Sequence, residues 1–130
     1  MNLDIDIEKM EIKTRNILSS PDEIYRTIRW IALLSDDVSC DLSASTGIHD
    51  GDGVIKALLA GASVVEIASA VIKNGHSHIN TMLDQVKAWM SKHGYNSIDD
   101  FKGKMSDNHV TNPQIFERAQ FMKYYSGFNS

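Results

Sequence analysis

Apolar and charged side chains alternate along the first eighteen residues of the chain. Leu3, Ile5 and Ile7 are interleaved with acidic residues, and the alternation continues to Ile12. Because successive side chains of a strand point to opposite faces, this period of two predicts short, half-exposed strands. We therefore expect residues 1–18 to form an extended arm, in the shape of a surface hairpin.

A helix is predicted to follow this arm. Ser20 is suited to cap a helix, Pro21 fits the first helical position, and Glu23 completes a capping box. Isoleucines then recur at helical spacing as far as Ile31, which predicts one buried stripe. Polar residues place the end of this helix near Ser35.

The centre of the chain predicts a βαβ unit. Val38 to Leu42 alternates in polarity and predicts a strand with two different faces. A helix that ends at Gly61 follows, since glycine readily takes the left-handed conformation after a helix. Val64 to Ala68 is an apolar run that predicts a buried parallel strand. Glu66 interrupts that run and needs a polar partner or a polar barrel interior.

The clearest amphipathic helix extends from Ser77 to His93. A short helix capped by Ser97 and a last helix that begins at Pro113 are predicted beyond it. We expect a single domain with three parts, which are an arm at 1–18, an α-β-α-β-α unit at 19–94 and a helical tail at 95–130.

The composition narrows the class of protein. The 130 residues carry a net charge of −4, which argues against a nucleic-acid or anionic-membrane surface as the main partner, because both normally need a basic patch. No apolar stretch approaches the ~20 residues of a membrane span. The single cysteine, Cys40, excludes an internal disulfide and is expected to be a buried structural thiol within its strand. These features predict a soluble, cytoplasmic protein.

Two polar turns follow the predicted strands and form the candidate site. They are Ser45-Thr46-Gly47 and Ala68-Ser69. Neighbouring parallel strands end side by side, and in (β/α)8 barrels the loops after the last two strands commonly hold a phosphate. The turns therefore point to a phosphate-bearing cofactor. The alternative is that glycine and small residues merely make tight connections between strand and helix.

The run from Leu42 to Asn74, with WMSKHGY at 89–95 and SIDDFKGK at 97–104, resembles the C-terminal end of the dihydroorotate dehydrogenases. These are flavin-dependent (β/α)8-barrel enzymes of pyrimidine biosynthesis, and the resemblance is closest to their soluble class. It implies an α/β fold made of the last two βα units of a TIM barrel, with the arm and the tail helices beside them.

The resemblance also implies a cofactor. In this family, backbone N–H groups of the turns after strands seven and eight bind the phosphate of FMN. Those turns fall on Thr46-Gly47 and Ala68-Ser69 here. Thr46 and Ala68 each replace a glycine of the family, but a backbone N–H survives either change. Ser69 keeps a hydroxyl that can donate a hydrogen bond.

The resemblance further implies that the catalytic base and the substrate-binding residues lie on the first six barrel strands, outside this sequence. We therefore predict the C-terminal part of an FMN-dependent oxidoreductase that converts dihydroorotate to orotate, inactive on its own. Because two parallel strands leave their edges unpaired, the expected partner is a second copy or a chain that carries the first six strands. The alternatives are a non-catalytic fragment that acts as an oligomerising module, and a stand-alone binder of a phosphate ligand.

The segment from His49 to Gly53 superficially suggests a calcium loop. It lacks the oxygen ligands that such a loop needs at its later positions. Asp50 or Asp52 as the cap of the following helix explains the same residues more simply.

Two other clusters have equally simple explanations. His76 and His78 are two residues apart, so on a helix they point in different directions and are unsuited to one metal. Asp99 and Asp100 follow a serine at a predicted helix start, where the helix dipole favours carboxylates. No metal site is predicted.

Overall fold

A computed structural model describes residues 2–15 and 18–106 of the chain. The helix predicted after Pro113 lies outside the described residues. Four strands, four α-helices and two short 3-10 turns are described: β1 Asn2–Asp6, β2 Glu11–Arg15, a 3-10 turn Pro21–Glu23, α1 Ile24–Leu34, β3 Ser43–Ala44, α2 Gly51–Ala60, β4 Val64–Val65, α3 Ser69–Asn74, α4 Ser77–His93 and a 3-10 turn Ile98–Asp100.

The arm is an antiparallel hairpin, as the alternating pattern predicted. Strands β1 and β2 pair with Asn2 opposite Arg15 and Asp6 opposite Glu11. The connecting turn presents Ile7 and Met10, which are 81% and 86% exposed. The period-two pattern therefore identified both the strands and their pairing.

The 3-10 turn Pro21–Glu23, which leads directly into α1, begins at the predicted cap. The Ser20 N–H donates to Glu23 Oε2 at 2.6 Å, which is one half of a capping box. Ile24 and Ile31 of α1 are buried, and the helix ends one residue before Ser35. The predicted buried stripe is confirmed.

The central strands are parallel, but they are much shorter than predicted. Ser43 pairs with Val64 and Ala44 with Val65. Residues 38–42 form no strand, because the Val38 N–H bonds back to Leu34 O at 3.1 Å and continues the end of α1. The prediction of a buried Cys40 within a strand was therefore wrong, and Cys40 is exposed.

The two-stranded sheet has one covered face and one open face. Ala44 is buried in the hydrophobic core, and Val65 and Ile67 pack against it. The alternate residues of β4 and its continuation point the other way, and Val64 is 56% exposed. The predicted burial of the strand at 64–68 therefore holds for one face alone, because helices cover a single face of the described sheet.

Helices α2 and α4 were predicted correctly, whereas α3 was not foreseen. Gly61, with φ of 121°, follows α2, and Gly94, with φ of 73°, follows α4. Helix α3 occupies the residues between Ala68 and Gly75. It is a single short piece with no apolar periodicity, so the sequence pattern could not separate it from a turn.

Beyond α4, the chain packs back through an aromatic cluster. The ring of Phe101 is fully buried, with centroids 5.0 Å from Trp89 and 5.3 Å from Tyr95. Within residues 2–15 and 18–106, no helix is long and apolar enough to cross a membrane.

Candidate functional site

The parallel pairing of β3 and β4 brings the two predicted turns together. A cavity of about 320 Å³ opens where the strands end, and Thr46, Gly47, Ala68 and Ser69 all line it. The four candidate residues therefore share one site, as expected for turns at the carboxyl ends of adjacent parallel strands.

The first turn has an unusual backbone that helix α1 supports. Thr46 and Gly47 have φ angles of 74° and 82°. A β-branched residue such as Thr46 rarely adopts a positive φ, so surrounding contacts must stabilise it. The hydroxyl of Thr27, on α1, shares its one proton between Ser45 O at 2.9 Å and Thr46 O at 3.1 Å.

These hydrogen bonds fix the direction of two N–H groups. In a trans peptide the carbonyl and the N–H of the same plane point in opposite directions. The Ser45 and Thr46 carbonyls point to Thr27, so the N–H groups of Thr46 and Gly47 point away from it. Neither N–H has an acceptor among the residues that the structure describes. Consecutive N–H groups with one orientation are a typical anion-binding arrangement.

Gly47 is also required for packing. A Cβ at this position would lie 2.2 Å from the backbone N of Ile24 and 2.7 Å from the carbonyl carbon of Glu23. The turn thus passes directly against the start of α1, which a side chain would prevent. A glycine here does not by itself indicate a ligand.

The second turn contributes a hydroxyl. Ser69 is the first residue of α3, and its Oγ accepts a hydrogen bond from the Ser19 N–H at 2.8 Å. A serine that accepts through a lone pair still has its own proton to donate. The N–H groups of the first turn of α3 also have no acceptor within that helix.

Ser19 connects the segment before α1 to both turns, and sequence reasoning missed it. Its N–H bonds Ser69, its carbonyl accepts from Lys73 Nζ at 3.2 Å, and its hydroxyl lies 3.2 Å from His49 Nε2. Ser19 lines the cavity. Its position just before a helix cap gave no sequence signal of these distant contacts.

The charges around the cavity are mixed. The carboxylates of Glu23 and Glu66 line it, and both accept hydrogen bonds, Glu23 from the Ser20 N–H and Glu66 from Ser43 Oγ at 2.6 Å. The latter contact is the polar partner that the sequence required for Glu66. Lys73 supplies a positive charge beside Ser19. An anion here would be bound mainly by N–H and O–H groups, against some carboxylate repulsion.

The remaining candidate residues have structural roles. Asp50 caps α2, because its Oδ1 accepts a hydrogen bond from the Gly53 N–H at 2.8 Å. The ring of His78 contacts the backbone that follows the first turn, with Nε2 at 2.6 Å from His49 O. Asp100 accepts from the backbone N–H groups of Asn96 and Ser97, and these bonds lower the pKa of its carboxyl. Among the described residues, no group of three His, Cys, Asp or Glu side chains converges to hold a metal ion.

A second cavity, of about 290 Å³, lies at the opposite end of the strands and is lined by Lys102 and Lys104. Both ammonium groups are engaged elsewhere, since Lys102 Nζ donates to Ser63 Oγ at 2.6 Å and Lys104 Nζ lies 3.3 Å from the Tyr95 hydroxyl.

Comparison with known proteins identifies relatives over part of the chain, although no family model matches it. The chloroplastic dihydropyrimidine dehydrogenase (NADP(+)) of Arabidopsis thaliana is 25% identical over 74% of this chain and 25% of its own length. Dihydroorotate dehydrogenase A (fumarate) of Lactococcus lactis is 36% identical over 45% of this chain and 19% of its own length. Dihydroorotate dehydrogenase (fumarate) of Lachancea kluyveri is 33% identical over 46% of this chain and 19% of its own length.

The chain thus spans a quarter or less of the length of these curated relatives. Dihydroorotate dehydrogenases recur among the relatives, at 33–36% identity for the two described above. The resemblance predicted from the sequence is therefore confirmed: nearly half of this chain is similar to a part of the dihydroorotate dehydrogenases.

Proposed function

We propose that this chain forms the phosphate-binding end of an FMN site in a dihydroorotate dehydrogenase-like oxidoreductase. The observation that carries the proposal is the single cavity lined by Thr46, Gly47, Ala68 and Ser69. The oriented N–H groups of the first turn and the free hydroxyl proton of Ser69 are the donors that a phosphate monoester requires.

The described residues fit the phosphate better than the rest of the cofactor. The two turns supply several donors for a compact anion, and a cavity of about 320 Å³ accommodates it. A bound flavin would supply the hydride acceptor for oxidation of a dihydropyrimidine ring. We propose that strands outside this sequence bind the ring and provide the catalytic base, whether in the same protein or in a partner chain.

The proposed architecture is the last two βα units of a (β/α)8 barrel. The parallel register of β3 and β4 and the helices on one face support it. The open face also supports it, because barrel strands turn one face to the helices and the other to the interior. Ser43 and Glu66, joined by a hydrogen bond on that open face, would then belong to the interior.

A titration with FMN and riboflavin tests this proposal, because the two ligands differ by the phosphate alone. We expect saturable quenching of FMN fluorescence. Riboflavin, which lacks the charged hydrogen-bond acceptor, should bind at least roughly tenfold more weakly than FMN. Ser69→Ala should weaken FMN binding several-fold, whereas Ser69→Thr, which keeps the hydroxyl, should retain most of it.

Ser91→Ala, on an exposed position of α4, is the matched control and should bind FMN like the original chain. Equal affinity for FMN and riboflavin would rule out a phosphate site. Absence of binding to either ligand would remove the support for a flavin function of this chain.

An association module is the second candidate function. Among the described residues the parallel sheet consists of β3 and β4 alone, so each of these strands has one edge without a neighbouring strand. Such edges favour pairing with another strand. We therefore propose association with a second copy or with a chain that carries further barrel strands.

Light scattering after size exclusion, at several concentrations, tests the association of this chain with itself. A mass that increases with concentration is expected for association between copies. A monomer at every concentration would contradict self-association and leave a different chain as the partner to be tested by co-expression.

A further inference from the structure

We propose that Thr27 is a positioning residue for this anion site, an inference that rests on the proposed function for its ligand class. Its single hydroxyl proton is shared between two successive carbonyls, with Oγ1 at 2.9 Å from Ser45 O and 3.1 Å from Thr46 O. Thr27 is in the first turn of α1 and does not line the cavity. It acts on the ligand through the turn.

The argument follows from the geometry of two peptide planes. With both carbonyls bound to Thr27, the N–H groups of Thr46 and Gly47 point in the opposite direction. Rotation of either plane would replace a donor with a carbonyl oxygen, which repels an anion. Thr27 therefore determines whether the turn presents donors or acceptors.

The strained backbone makes this support necessary. A positive φ at a residue other than glycine costs roughly 1–2 kcal/mol, and Thr46 is held at φ of 74°. Gly47, the next residue, can rotate more freely because it has no Cβ. Without the Thr27 hydroxyl, the peptide between Ser45 and Thr46 loses the bond that opposes this strain.

The ligand class that this arrangement selects is a phosphate monoester or inorganic phosphate. Two N–H groups in series match adjacent oxygens of one tetrahedral anion. The nearby carboxylates of Glu23 and Glu66 disfavour a second anionic group in the cavity. A ligand with one phosphate fits these charges better than a diphosphate.

The test compares Thr27→Val, which keeps the shape and removes the hydroxyl, with Thr27→Ser, which keeps the hydroxyl. Titration with inorganic phosphate is followed through the amide shifts of Thr46 and Gly47. We expect Thr27→Val to weaken phosphate binding about tenfold, as for loss of one hydrogen-bonded donor to a charge, and Thr27→Ser to bind as the original chain does.

Two readouts need no ligand. At positive φ the amide proton and Hα of the same residue are close, so Thr46 should give a strong intraresidue NOE in the original chain and in Thr27→Ser, and a weak one in Thr27→Val. The amides of Thr46 and Gly47 should also exchange rapidly with water in the original chain. Protected amides, or an unchanged NOE in Thr27→Val, would overturn the proposal for Thr27.

The outcomes separate the two proposals. A chain that shows the NOE pattern but does not bind phosphate contradicts the proposed function and leaves the positioning of the turn by Thr27 supported. If the Thr27→Val and Thr27→Ser variants bind phosphate with equal affinity, the role of Thr27 is contradicted, whereas the proposed function is not. If Thr27→Val does not fold, Thr27→Ala and the exchange rates of the original chain decide the question.

Discussion

At Thr46 the chain places a β-branched side chain in a conformation that glycine adopts more readily. The cost is partly offset by the Thr27 hydroxyl, whose one proton is shared between the Ser45 and Thr46 carbonyls. Thr46 thus combines a strained backbone with an N–H donor at the cavity. Strained residues supported from outside recur at binding sites, where the strain is part of pre-organisation.

Replacement of Thr46 by glycine should stabilise the fold slightly. Relief of positive-φ strain gains about 1–2 kcal/mol, and the greater freedom of glycine in the unfolded chain costs about 0.5–1 kcal/mol. We expect a net gain in the free energy of unfolding, measured with urea. Thr81→Gly, inside α4, is the control and should lose a few tenths of a kcal/mol, the difference between the helix propensities of threonine and glycine. Destabilisation by both variants would contradict strain at Thr46.

Removal of the charge of Glu66 should strengthen anion binding. Glu66 lines the cavity, and glutamine can still accept the bond from Ser43. We expect Glu66→Gln to bind FMN or phosphate a few-fold more tightly, with a smaller effect at high salt. Asp84→Asn, an equal charge change at an exposed position of α4, should have little effect. Similar gains in both variants would indicate a general charge effect and not a local one.

At the scale of elements, two glycines with positive φ are required for different physical reasons. Gly47 touches the start of α1 so closely that a Cβ cannot be placed, whereas a Cβ at Gly94 would meet nothing within 4 Å. Both have a positive φ, at 82° and 73°. Comparison of the two therefore separates steric packing from conformational cost.

Gly94→Ala should cost roughly 1–2 kcal/mol, from the left-handed conformation alone. Gly47→Ala should cost clearly more, about 3 kcal/mol or above, because α1 must also shift. Urea denaturation of both variants measures the difference. Equal losses would show that the turn can move away from α1 without penalty. Gly47 variants are consequently unsuited to test ligand binding.

The short 3-10 turn at Ile98–Asp100 predicts a pH-dependent contribution to stability. Hydrogen bonds from the N–H groups of Asn96 and Ser97 hold the pKa of Asp100 below its ordinary value of 3.8. A carboxyl with a lower pKa in the folded state stabilises the protein above its unfolded pKa, and this stabilisation is lost as the pH falls through the folded value.

Asp100→Ala should therefore lower the melting temperature at neutral pH, and the difference from the original chain should shrink as the pH falls below 3.8. Asp99→Ala is the control, since it removes a carboxylate from the same turn without the bonds to Asn96 and Ser97. A difference that persists unchanged at acid pH would exclude the ionised carboxylate as its cause.

At the scale of the molecule, the pattern of the sequence predicted the helices and the parallel pairing better than the strands. The cap at Ser20 and the glycine after α4 are local signals that act within one turn of helix, so they could be recognised. The loss of the strand at 38–42 depends on how α1 ends, which is a tertiary effect. The exposure of Cys40 follows from the same cause.

The candidate site was predictable in its two turns but not in its supports. Strand order alone brings Gly47 and Ser69 together. The contacts of Thr27 and Ser19 join residues 18 to 54 positions apart, and no periodic pattern reports such pairs. The polar residues that hold a turn from behind are therefore the part of a site that sequence reasoning misses.

The Ser69 hydroxyl has a consequence for communication along the chain. It receives the N–H of Ser19, a few residues after the hairpin, and it faces the cavity with its own proton. A hydroxyl that donates to an anion becomes a stronger acceptor, because hydrogen bonds in series polarise one another. Occupancy of the cavity and the hydrogen bond between Ser19 and Ser69 are thus thermodynamically linked, and each favours the other by the same free energy. The contact between Ser19 and Ser69 thereby becomes an indicator of whether the cavity is filled.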